Sequence, residues 1–241
     1  MPSSEIGQAN RTYHEAQSHM ELLPNYYAWT YGLFRPYLTG EVLELGCGAG
    51  LGIATYLDHV DRILAVDHNE DLLRRIQASL PKNQVQVVKA DLSGEWTDLA
   101  GVSVDAVIIM DVLEHFEDDL GFLRRTANLV RPGGYIAMKV PAQSRLYSPM
   151  DQASGHFRRY DPKDIESLAS KLGLRVVDLK HINRLGAFAY RVKRRQSTNF
   201  SKSFTRLQLK IINLALPLVR LFDFLPGPPG LSLVAVLAKG R

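Results

Sequence analysis

The sequence predicts an α/β protein built on a mostly parallel β-sheet with helices on both faces. From residue 41 to about 180, short apolar runs alternate with stretches in which Leu, Ile and Phe recur at helical spacing. This alternation is typical of strand–helix–strand units, whose crossover connections leave neighbouring strands parallel. The chain has 241 residues, of which 46% are hydrophobic and 22% are charged, so it can form a sizeable core.

The individual strands and helices follow from their patterns in chain order. Seven apolar runs predict strands at residues 42–45, 62–66, 85–89, 104–110, 135–140, 174–179 and 231–238. Helical spacing predicts helices over residues 70–79 and 117–130. A third helix is expected to begin after Asp161 as N-cap, with Pro162 as its first residue, and to stop at Gly173. We expect a turn at residues 131–134, ahead of the fifth strand.

A long basic insertion separates the sixth and seventh predicted strands. The net charge is +4, yet nine Lys and Arg residues and no acidic residue lie between positions 184 and 222. Six apolar residues in its second half repeat at steps of three and four, which predicts one helix face. These six, named here the apolar stripe, are Leu207, Ile211, Leu214, Leu218, Leu221 and Leu225. In one interpretation the helix is a lid whose apolar stripe packs on the core. In the other, the stripe binds a hydrophobic or phosphate-bearing acceptor, or it touches an anionic membrane. Pro217 is expected to kink or divide the helix.

A glycine-rich loop, residues 46–50, follows the first predicted strand. Glycines there permit a tight turn and let a ligand approach the main chain. The spacing departs from the dinucleotide pattern G-x-G-x-x-G because residue 51 is Leu. Glu44, two residues before the loop, suits a cationic ligand and would repel a phosphate. Both features argue against a nicotinamide dehydrogenase.

Acidic residues end three successive predicted strands. Glu44 lies at the end of the first, Asp67 at the second and Asp91 after the third. The carboxyl ends of parallel strands share the edge at which such sheets bind ligands. There Asp67 can take both hydroxyls of a ribose, and Asp91 can meet an adenine amino group. A single Asp after a strand also starts turns without any ligand, but the three acids and the glycine loop together favour a nucleoside-containing ligand.

Together, these segments resemble the motifs of class I S-adenosylmethionine-dependent methyltransferases. The resemblance is carried by residues 42–50 (VLELGCGAG), Asp67, Asp91, residues 111–115 (DVLEH) and residues 131–134 (RPGG). It implies a Rossmann-like sheet of seven strands with the last strand antiparallel, S-adenosylmethionine as cofactor and S-adenosylhomocysteine as product. The cofactor-binding residues that it implies are Glu44, Gly46, Cys47, Gly48 and Gly50 for methionine and ribose, Asp67 for the ribose hydroxyls, His68, Asp91 and Leu92 around adenine, and Asp111 under the methionine end.

A narrower resemblance connects the chain with a bacterial group of small-molecule methyltransferases. Residues 25–29, 155–160 and 230–233 look like segments of this group, whose members often accompany glycosyltransferases and envelope or secondary-metabolite enzymes. We therefore divide the chain into an N-terminal helical cap (1–37), a cofactor-binding catalytic core (38–183), the basic insertion as acceptor lid (184–230) and the last core strand (231–241). By the same resemblance, Tyr13 or Tyr26 of the cap could close over the cofactor.

The acceptor is expected to enter beside the fourth and fifth strands. His115 follows the fourth strand, and His156 and Tyr160 lie after the fifth, so these three are the candidate catalytic residues. A histidine suits a general base because its ordinary pKa lies near neutral pH. Arg158 and Arg159 either pin their loop to the sheet or grip an anionic acceptor. The spacing of Asp111, Glu114 and His115 matches no strong metal-ligand motif, so no metal is expected.

Two other functions stay open beside a small-molecule or lipid/glycan methyltransferase. The basic insertion prompts an RNA or other nucleic-acid methyltransferase. Against it, residues 111–114 (DVLE) stand where base-amino methylation needs an Asn-Pro-Pro-Tyr-type motif, and the chain has no Pro-Cys nucleophile. The second alternative is a cofactor-binding module without catalysis. The sequence shows neither a signal peptide nor a membrane-spanning run, so we expect a cytoplasmic protein with possible peripheral contact at the inner membrane surface through residues 184–230.

Overall fold

The predicted sheet is present, with seven strands and one reversed strand direction. The structure, a computed structural model, describes residues 19–193, 205–225 and 227–241. Its strands are β1 (Glu41–Leu45), β2 (Arg62–Asp67), β3 (Val85–Lys89), β4 (Val104–Met110), β5 (Val130–Pro141), β6 (Arg175–Ile182) and β7 (Ser232–Ala238). They lie in the order β3-β2-β1-β4-β5-β7-β6, and β7 runs antiparallel to the other six strands. The α/β fold class and the antiparallel last strand are confirmed.

The strand order reverses beside β1, and this reversal places the site. From β1 the chain moves outward through β2 to β3 and then returns to pair β4 with the other side of β1. The connections that follow β1 and β4 therefore leave the sheet in opposite directions. A crevice opens between them at the carboxyl ends of the strands, which is where open α/β sheets bind ligands.

Seven α-helices lie in the described part of the chain, and local capping chemistry explains where two of them begin. They are α1 (Pro24–Gly32), α2 (Glu70–Ser79), α3 (Asp119–Leu129), α4 (Pro149–Ala153), α5 (Pro162–Lys171), α6 (Arg184–Lys193) and α7 (Arg206–Val219). The Asn69 side chain accepts hydrogen bonds from the first backbone amides of α2. As predicted, α5 begins at Pro162 behind Asp161, which forms a capping box with Asp164.

The helices bury apolar side chains against both faces of the sheet. On one face, α3 and α5 contribute Phe122, Leu123 and Ile165 to the core. On the other face, Trp29 of α1 and Ile76 of α2 pack against the sheet. Because strands covered on both sides have no solvent-facing side, β4 is a nearly continuous apolar run.

The glycines at 133 and 134 lie within β5, where we expected a turn before the strand. The pairing register between β4 and β5 shifts here, so the extra residues form a bulge. Gly133 has a positive φ of 82°. A Cβ at Gly134 would lie 2.4 Å from the Asp105 carbonyl oxygen, so the strand passes too close for any side chain at this position.

The basic insertion forms α6, α7 and a 3₁₀ turn at Arg220–Phe224, and α7 packs on the opposite side from the expected one. Its buried residues are Leu209 and Leu216, and it is joined to α1 by two hydrogen bonds between Asn25 and Asn213, of 2.8 and 2.9 Å. All six residues of the apolar stripe are exposed, between 52% and 80%. The alternative of a lid that packs this stripe on the core is therefore wrong. Pro217 does not divide the helix, which ends two residues later at Val219.

Parts of the N-terminal cap and of the basic insertion lie outside the described residues. Tyr13 is one of them, so the expectation that it closes over the cofactor stays a prediction. Tyr26 is described and lies on α1, with its ring centroid 5.6 Å from the Lys139 ammonium of β5. Over the ranges that the structure covers, no helix is long and apolar enough to cross a bilayer.

Candidate functional site

The glycine loop turns sharply away from the end of β1. Gly46, Gly48 and Gly50 all have positive φ, at 73°, 55° and 71°. A Cβ at Gly46 would lie 2.5 Å from the Val112 side chain, so this position has no room for another residue. The loop therefore forms a cradle of bare main chain at the crevice, as the cofactor's methionine and ribose require.

Asp67 fastens this cradle to the end of β2. Its buried carboxylate accepts hydrogen bonds from the Gly48 amide at 2.8 Å and from the Asn69 amide at 2.8 Å. A carboxylate has about four lone-pair sites, so it retains capacity for the hydroxyls of a ribose. The exposed His68 ring lies beside it, with Nδ1 at 3.4 Å from Asp67 Oδ1. The predicted ribose and adenine residues therefore adjoin the loop.

Asp91 and Leu92 follow β3 at the same edge of the sheet. The Asp91 carboxylate accepts hydrogen bonds from the hydroxyl and the backbone amide of Ser93, and these bonds lower its pKa. Leu92 is buried, and its carbonyl accepts a hydrogen bond from Trp96 Nε1 at 3.0 Å. An ionised carboxylate and an apolar side chain are thus adjacent, as contact with the amino group and ring of an adenine requires.

Glu44 has partners that the sequence did not reveal. It is 1% exposed, and its two oxygens accept hydrogen bonds from the hydroxyls of Tyr31 and Tyr56, each at 2.6 Å. Burial raises the pKa of Glu44 to about 7, although the two tyrosine hydrogen bonds oppose the shift. Neighbouring Cys47 is also buried, and burial together with Glu44 raises the pKa of its thiol. The role of Glu44 at the cofactor stays a prediction.

Asp111 forms an ion pair with Lys139, a residue that the sequence analysis missed. Asp111 follows β4 in a left-handed conformation, with φ of 53°, and its carboxylate contacts the buried Lys139 ammonium of β5. Burial alone would lower the pKa of Lys139, but the charge and hydrogen bond of Asp111, together with Tyr26 and Glu114, outweigh burial and raise it. The sequence feature that could have revealed this ion pair is a lysine within an otherwise apolar strand.

Glu114, His115 and His156, named here the acceptor-side cluster, meet beyond the ends of β4 and β5. The two imidazole rings are edge-to-face with centroids 4.8 Å apart. His156 Nε2 lies 3.9 Å from Glu114 Oε1. Although His115 is partly exposed, desolvation of its imidazole, and then the neighbouring His156, lower its pKa to about 4. The structure thus brings together the two predicted histidines and adds a carboxyl group that was not among the predicted site residues.

Asp151 of α4 orients the second histidine of the cluster. Its Oδ1 lies 3.3 Å from His156 Nδ1 and 2.8 Å from Arg159 Nη2. Burial opposes ionisation of Asp151, but the hydrogen bonds from His156 and Arg159 prevail and hold its pKa at about 2. The Tyr190 hydroxyl of α6 donates to the other oxygen at 2.6 Å. Sequence spacing gave no signal for Asp151, because Tyr190 comes from α6, 39 positions further along the chain.

Tyr160 has its contacts within the protein, and its role at the acceptor stays a prediction. It is 1% exposed, and its hydroxyl donates to Asp119 at 3.2 Å on the inner side of the loop. Arg158 forms an ion pair with Asp119 at 2.9 Å, and Arg159 with Asp151. Of the two alternatives for these arginines, the structure favours pinning of the loop, because both guanidinium groups are engaged within the protein.

Comparison with known proteins shows which protein family the central part of the chain matches. Residues 43–138 match the family described as a methyltransferase domain. A probable S-adenosylmethionine-dependent methyltransferase of Mycobacterium tuberculosis is 32% identical over 135 residues, which are 55% of this chain and 48% of that protein. A ubiquinone biosynthesis O-methyltransferase of Dinoroseobacter shibae is 23% identical over 158 residues, 60% of this chain and 64% of that protein. The chain spans about half the length of the first curated relatives that it matches.

Solved structures share the fold over most of the chain. An S-adenosylmethionine-dependent methyltransferase from Archaeoglobus fulgidus has a TM-score of 0.58 at 20% identity and covers 88% of this chain and 94% of its own. The N-methyltransferase NodS from Bradyrhizobium japonicum, solved with S-adenosylhomocysteine, has a TM-score of 0.54 at 14% identity, with 93% and 87% covered. Residues 43–138 thus match the methyltransferase-domain family, and the chain as a whole shares the fold of solved S-adenosylmethionine-dependent methyltransferases.

Proposed function

We propose that this chain transfers the methyl group of S-adenosylmethionine to a small-molecule or lipid/glycan-type acceptor and releases S-adenosylhomocysteine. The observation that carries the proposal is the acceptor-side cluster, which follows β4 and β5 and contains two oriented imidazoles. Similar proteins named as O- and N-methyltransferases support the reaction class and leave the acceptor atom open.

The cofactor side of the reaction requires little more than positioning. S-adenosylmethionine supplies a methyl group that its sulfonium already activates, so holding donor and acceptor in line provides much of the rate. The glycine cradle would hold the methionine and ribose. Asp67 would bind the ribose hydroxyls, and His68, Asp91 and Leu92 would enclose the adenine. Asp111, whose position Lys139 fixes, would lie under the methionine end.

On the acceptor side, His115 or His156 would accept the proton that an acceptor hydroxyl or amine loses as it attacks the methyl carbon. Asp151 holds His156 through Nδ1, which directs Nε2 towards the cluster. Nδ1 of His115 lies 3.2 Å from the Gly155 carbonyl oxygen, which likewise leaves its Nε2 for another contact. Each imidazole therefore has one anchored nitrogen and one available nitrogen, as a general base requires.

The acceptor's character follows from the exposed side of the basic insertion. The apolar stripe stands exposed on α7 and the turn after it, and Phe188 and Val192 of α6 are each 70% exposed. Exposed Arg206, Lys210 and Arg220 accompany the stripe. A helix with one apolar exposed side and basic neighbours suits an anionic phospholipid surface. We therefore include peripheral contact with such a surface, from which a hydrophobic or phosphate-bearing acceptor would reach the crevice.

The test is methyl transfer from labelled S-adenosylmethionine to separate lipid, water-soluble and RNA fractions of a bacterial extract. We expect label in the lipid or water-soluble fraction, with S-adenosylhomocysteine released in equal amount. Asp67→Ala serves as the variant with an impaired cofactor site. Label confined to RNA would favour the nucleic-acid alternative. S-adenosylmethionine binding without product from any fraction would favour a non-catalytic module.

A further inference from the structure

The acceptor-side cluster has the composition of a metal-binding site. Glu114, His115 and His156 each offer one ligand atom, and these three atoms lie within 4.8 Å of one another. Sequence spacing predicted no metal, because Glu114 and His115 are adjacent and form no recognised motif alone. The third residue comes from a loop 41 positions further along the chain, and only the fold brings it to the other two.

Glu114 has no hydrogen-bond partner for either oxygen within the described residues. Its side chain is 0% exposed, and Oε1 and Oε2 are both without a donor. Nearly all buried polar groups in proteins find a partner, because leaving one unpaired costs free energy. A bound cation would supply the missing partner for this carboxyl group.

In both histidines one ring nitrogen has the kind of contact that is typical of metal-bound histidines. A metal-bound imidazole almost always has its second nitrogen directed at a carboxylate or a backbone carbonyl. His156 Nδ1 lies 3.3 Å from the Asp151 carboxylate, and His115 Nδ1 lies 3.2 Å from the Gly155 carbonyl oxygen. In each ring Nε2 is then the ligand atom. Asp151 is itself fixed by Arg159 and Tyr190, so the support around His156 is preorganised.

We propose that Glu114, His115 and His156 bind one divalent transition-metal ion of the Zn²⁺ class. Two imidazoles and one carboxylate suit such ions, whereas Mg²⁺ and Ca²⁺ prefer oxygen ligands throughout. Ligand atoms around tetrahedral Zn²⁺ lie about 3.4 Å apart, so the side chains need to close by roughly 1 Å from their present separation. Three protein ligands leave a coordination position open, as in catalytic zinc sites.

The open position gives the metal a role in acceptor recognition, and this step rests on the proposed function. An acceptor hydroxyl bound there would be polarised and would release its proton to solvent water more readily, while its oxygen bonds to the methyl carbon and the methyl–sulfur bond breaks to leave S-adenosylhomocysteine. His115 and His156 would then orient the acceptor through the ion instead of accepting its proton directly. The acceptor class that this geometry favours is a hydroxyl-bearing one, such as a phenol or a sugar.

The experiment is metal titration of the chelator-treated full chain, without acceptor or cofactor. We expect one Zn²⁺ per chain by calorimetry, and one Co²⁺ whose visible absorption reports nitrogen and oxygen ligands. His156→Ala and Glu114→Gln should each weaken binding by at least about a hundredfold, and Asp151→Asn by about ten- to a hundredfold. The exposed His59→Ala, outside the cluster, is the matched control and should bind as the unaltered chain does.

Folding and activity are followed separately, so that each result is decisive. S-adenosylmethionine affinity of each variant reports its fold, and His115→Ala, at an exposed position, replaces any variant that fails to fold. The proposal is overturned by absence of Zn²⁺ and Co²⁺ binding, by equal binding in the variants and the control, or by equal affinity for Mg²⁺. Methyl transfer that persists in chelator, in a chain that binds no Zn²⁺, would overturn the metal site and leave the proposed function intact.

Discussion

At the scale of single residues, buried carboxylates organise the cofactor side of the crevice. Asp67 and Glu44 differ in the groups that donate hydrogen bonds to them. Asp67 accepts hydrogen bonds from two backbone amides, whereas Glu44 accepts them from two tyrosine hydroxyls. The amides of Gly48 and Asn69 belong to the segments that would surround a ribose. Substitution of Asp67 therefore affects the ligand directly, and substitution of Glu44 affects the protein's own proton equilibrium.

We expect Asp67→Ala to weaken S-adenosylmethionine binding by at least about tenfold, because two charge-assisted hydrogen bonds to the ribose are lost. It should also lower the free energy of unfolding by about 1–3 kcal/mol, since the buried amides of Gly48 and Asn69 lose their acceptor. Titration calorimetry and urea unfolding measure the two effects. Asp71→Ala, an exposed carboxylate on α2, is the control, and unchanged affinity in Asp67→Ala would contradict the assignment.

We expect Glu44 to make stability fall as pH rises. Burial raises its pKa from 4.5 to about 7, among Tyr31, Tyr56, Asp67 and Cys47. Between these values the folded protein keeps a proton that the unfolded chain has released. The stabilising contribution is therefore complete below pH 4.5 and is lost by pH 7, a change of roughly 3 kcal/mol.

Glu44→Gln tests this dependence, because its side chain cannot ionise. Urea unfolding at pH 5 and pH 8 measures the free energy of unfolding of both proteins. We expect that of the unaltered chain to fall, relative to that of Glu44→Gln, as the pH rises. Glu95→Gln, which changes an exposed carboxylate, should leave the dependence of the unaltered chain in place. An equal dependence in the Glu44→Gln variant would show that Glu44 ionises at its ordinary pKa.

At the scale of elements, α7 presents two apolar sides and packs only one of them. Leu209 and Leu216 are buried, and the side chains of Ile212 and Val219 are half-buried against the same core. The apolar stripe lies on the other side and exposes a contiguous row of large side chains. Contiguous apolar surface of this kind marks an interaction site in most soluble domains. Its basic neighbours favour an anionic lipid surface as the partner.

We expect the triple variant Ile211→Ser, Leu214→Ser, Leu218→Ser to lose binding to anionic vesicles at low salt, because it removes the exposed apolar contact. Cofactor affinity should stay unchanged, since the stripe does not contact the core. Co-sedimentation with phosphatidylserine-containing vesicles over a salt series measures the binding. Gln77→Ser with Ala78→Ser on the exposed side of α2 is the matched control. Absence of vesicle binding by the unaltered chain at low salt would contradict the membrane proposal.

At the scale of the whole molecule, the basic insertion supports the acceptor side of the site. Tyr190 of α6 donates a hydrogen bond to Asp151, and the Arg159 guanidinium lies 4.1 Å from the Tyr190 ring centroid. Asp151 in turn holds His156. The insertion therefore contacts the residues that we propose to meet the acceptor, while the glycine cradle and Asp67 follow β1 and β2. Acceptor and cofactor binding should accordingly separate in variants of this connection.

We expect Tyr190→Phe to lower kcat severalfold and to leave S-adenosylmethionine affinity unchanged, because Asp151 loses one of the contacts that fix it. Loss of the two buried hydrogen bonds of this hydroxyl, to Asp151 and Ser148, should lower the free energy of unfolding by about 1–3 kcal/mol. Steady-state kinetics with the acceptor found by fraction screening separates kcat from KM. Tyr37→Phe, at the other end of the sheet, is the control. An unaltered kcat would show that α6 does not position His156.

The sequence by itself determined the elements whose causes are local. The apolar strand runs, the Asp161–Pro162 helix start and the glycine loop each depend on chemistry within a few residues, and each appears in the structure where it was expected. The resemblance to methyltransferases was visible for the same reason, because its motifs lie at single strand ends. The turn at 131–134 was misplaced because a bulge and a turn require the same glycines.

Only the tertiary structure decided which distant groups meet and which surfaces stay exposed. The tyrosine partners of Glu44, the Asp111–Lys139 pair and the grouping of Glu114 and His115 with His156 all join residues at least a dozen positions apart. The packed side of α7 was likewise undetermined, because the helix is apolar on two sides and its periodicity fits either one. Such choices depend on the shape of the surface that each element meets, and that surface exists only after the sheet has formed.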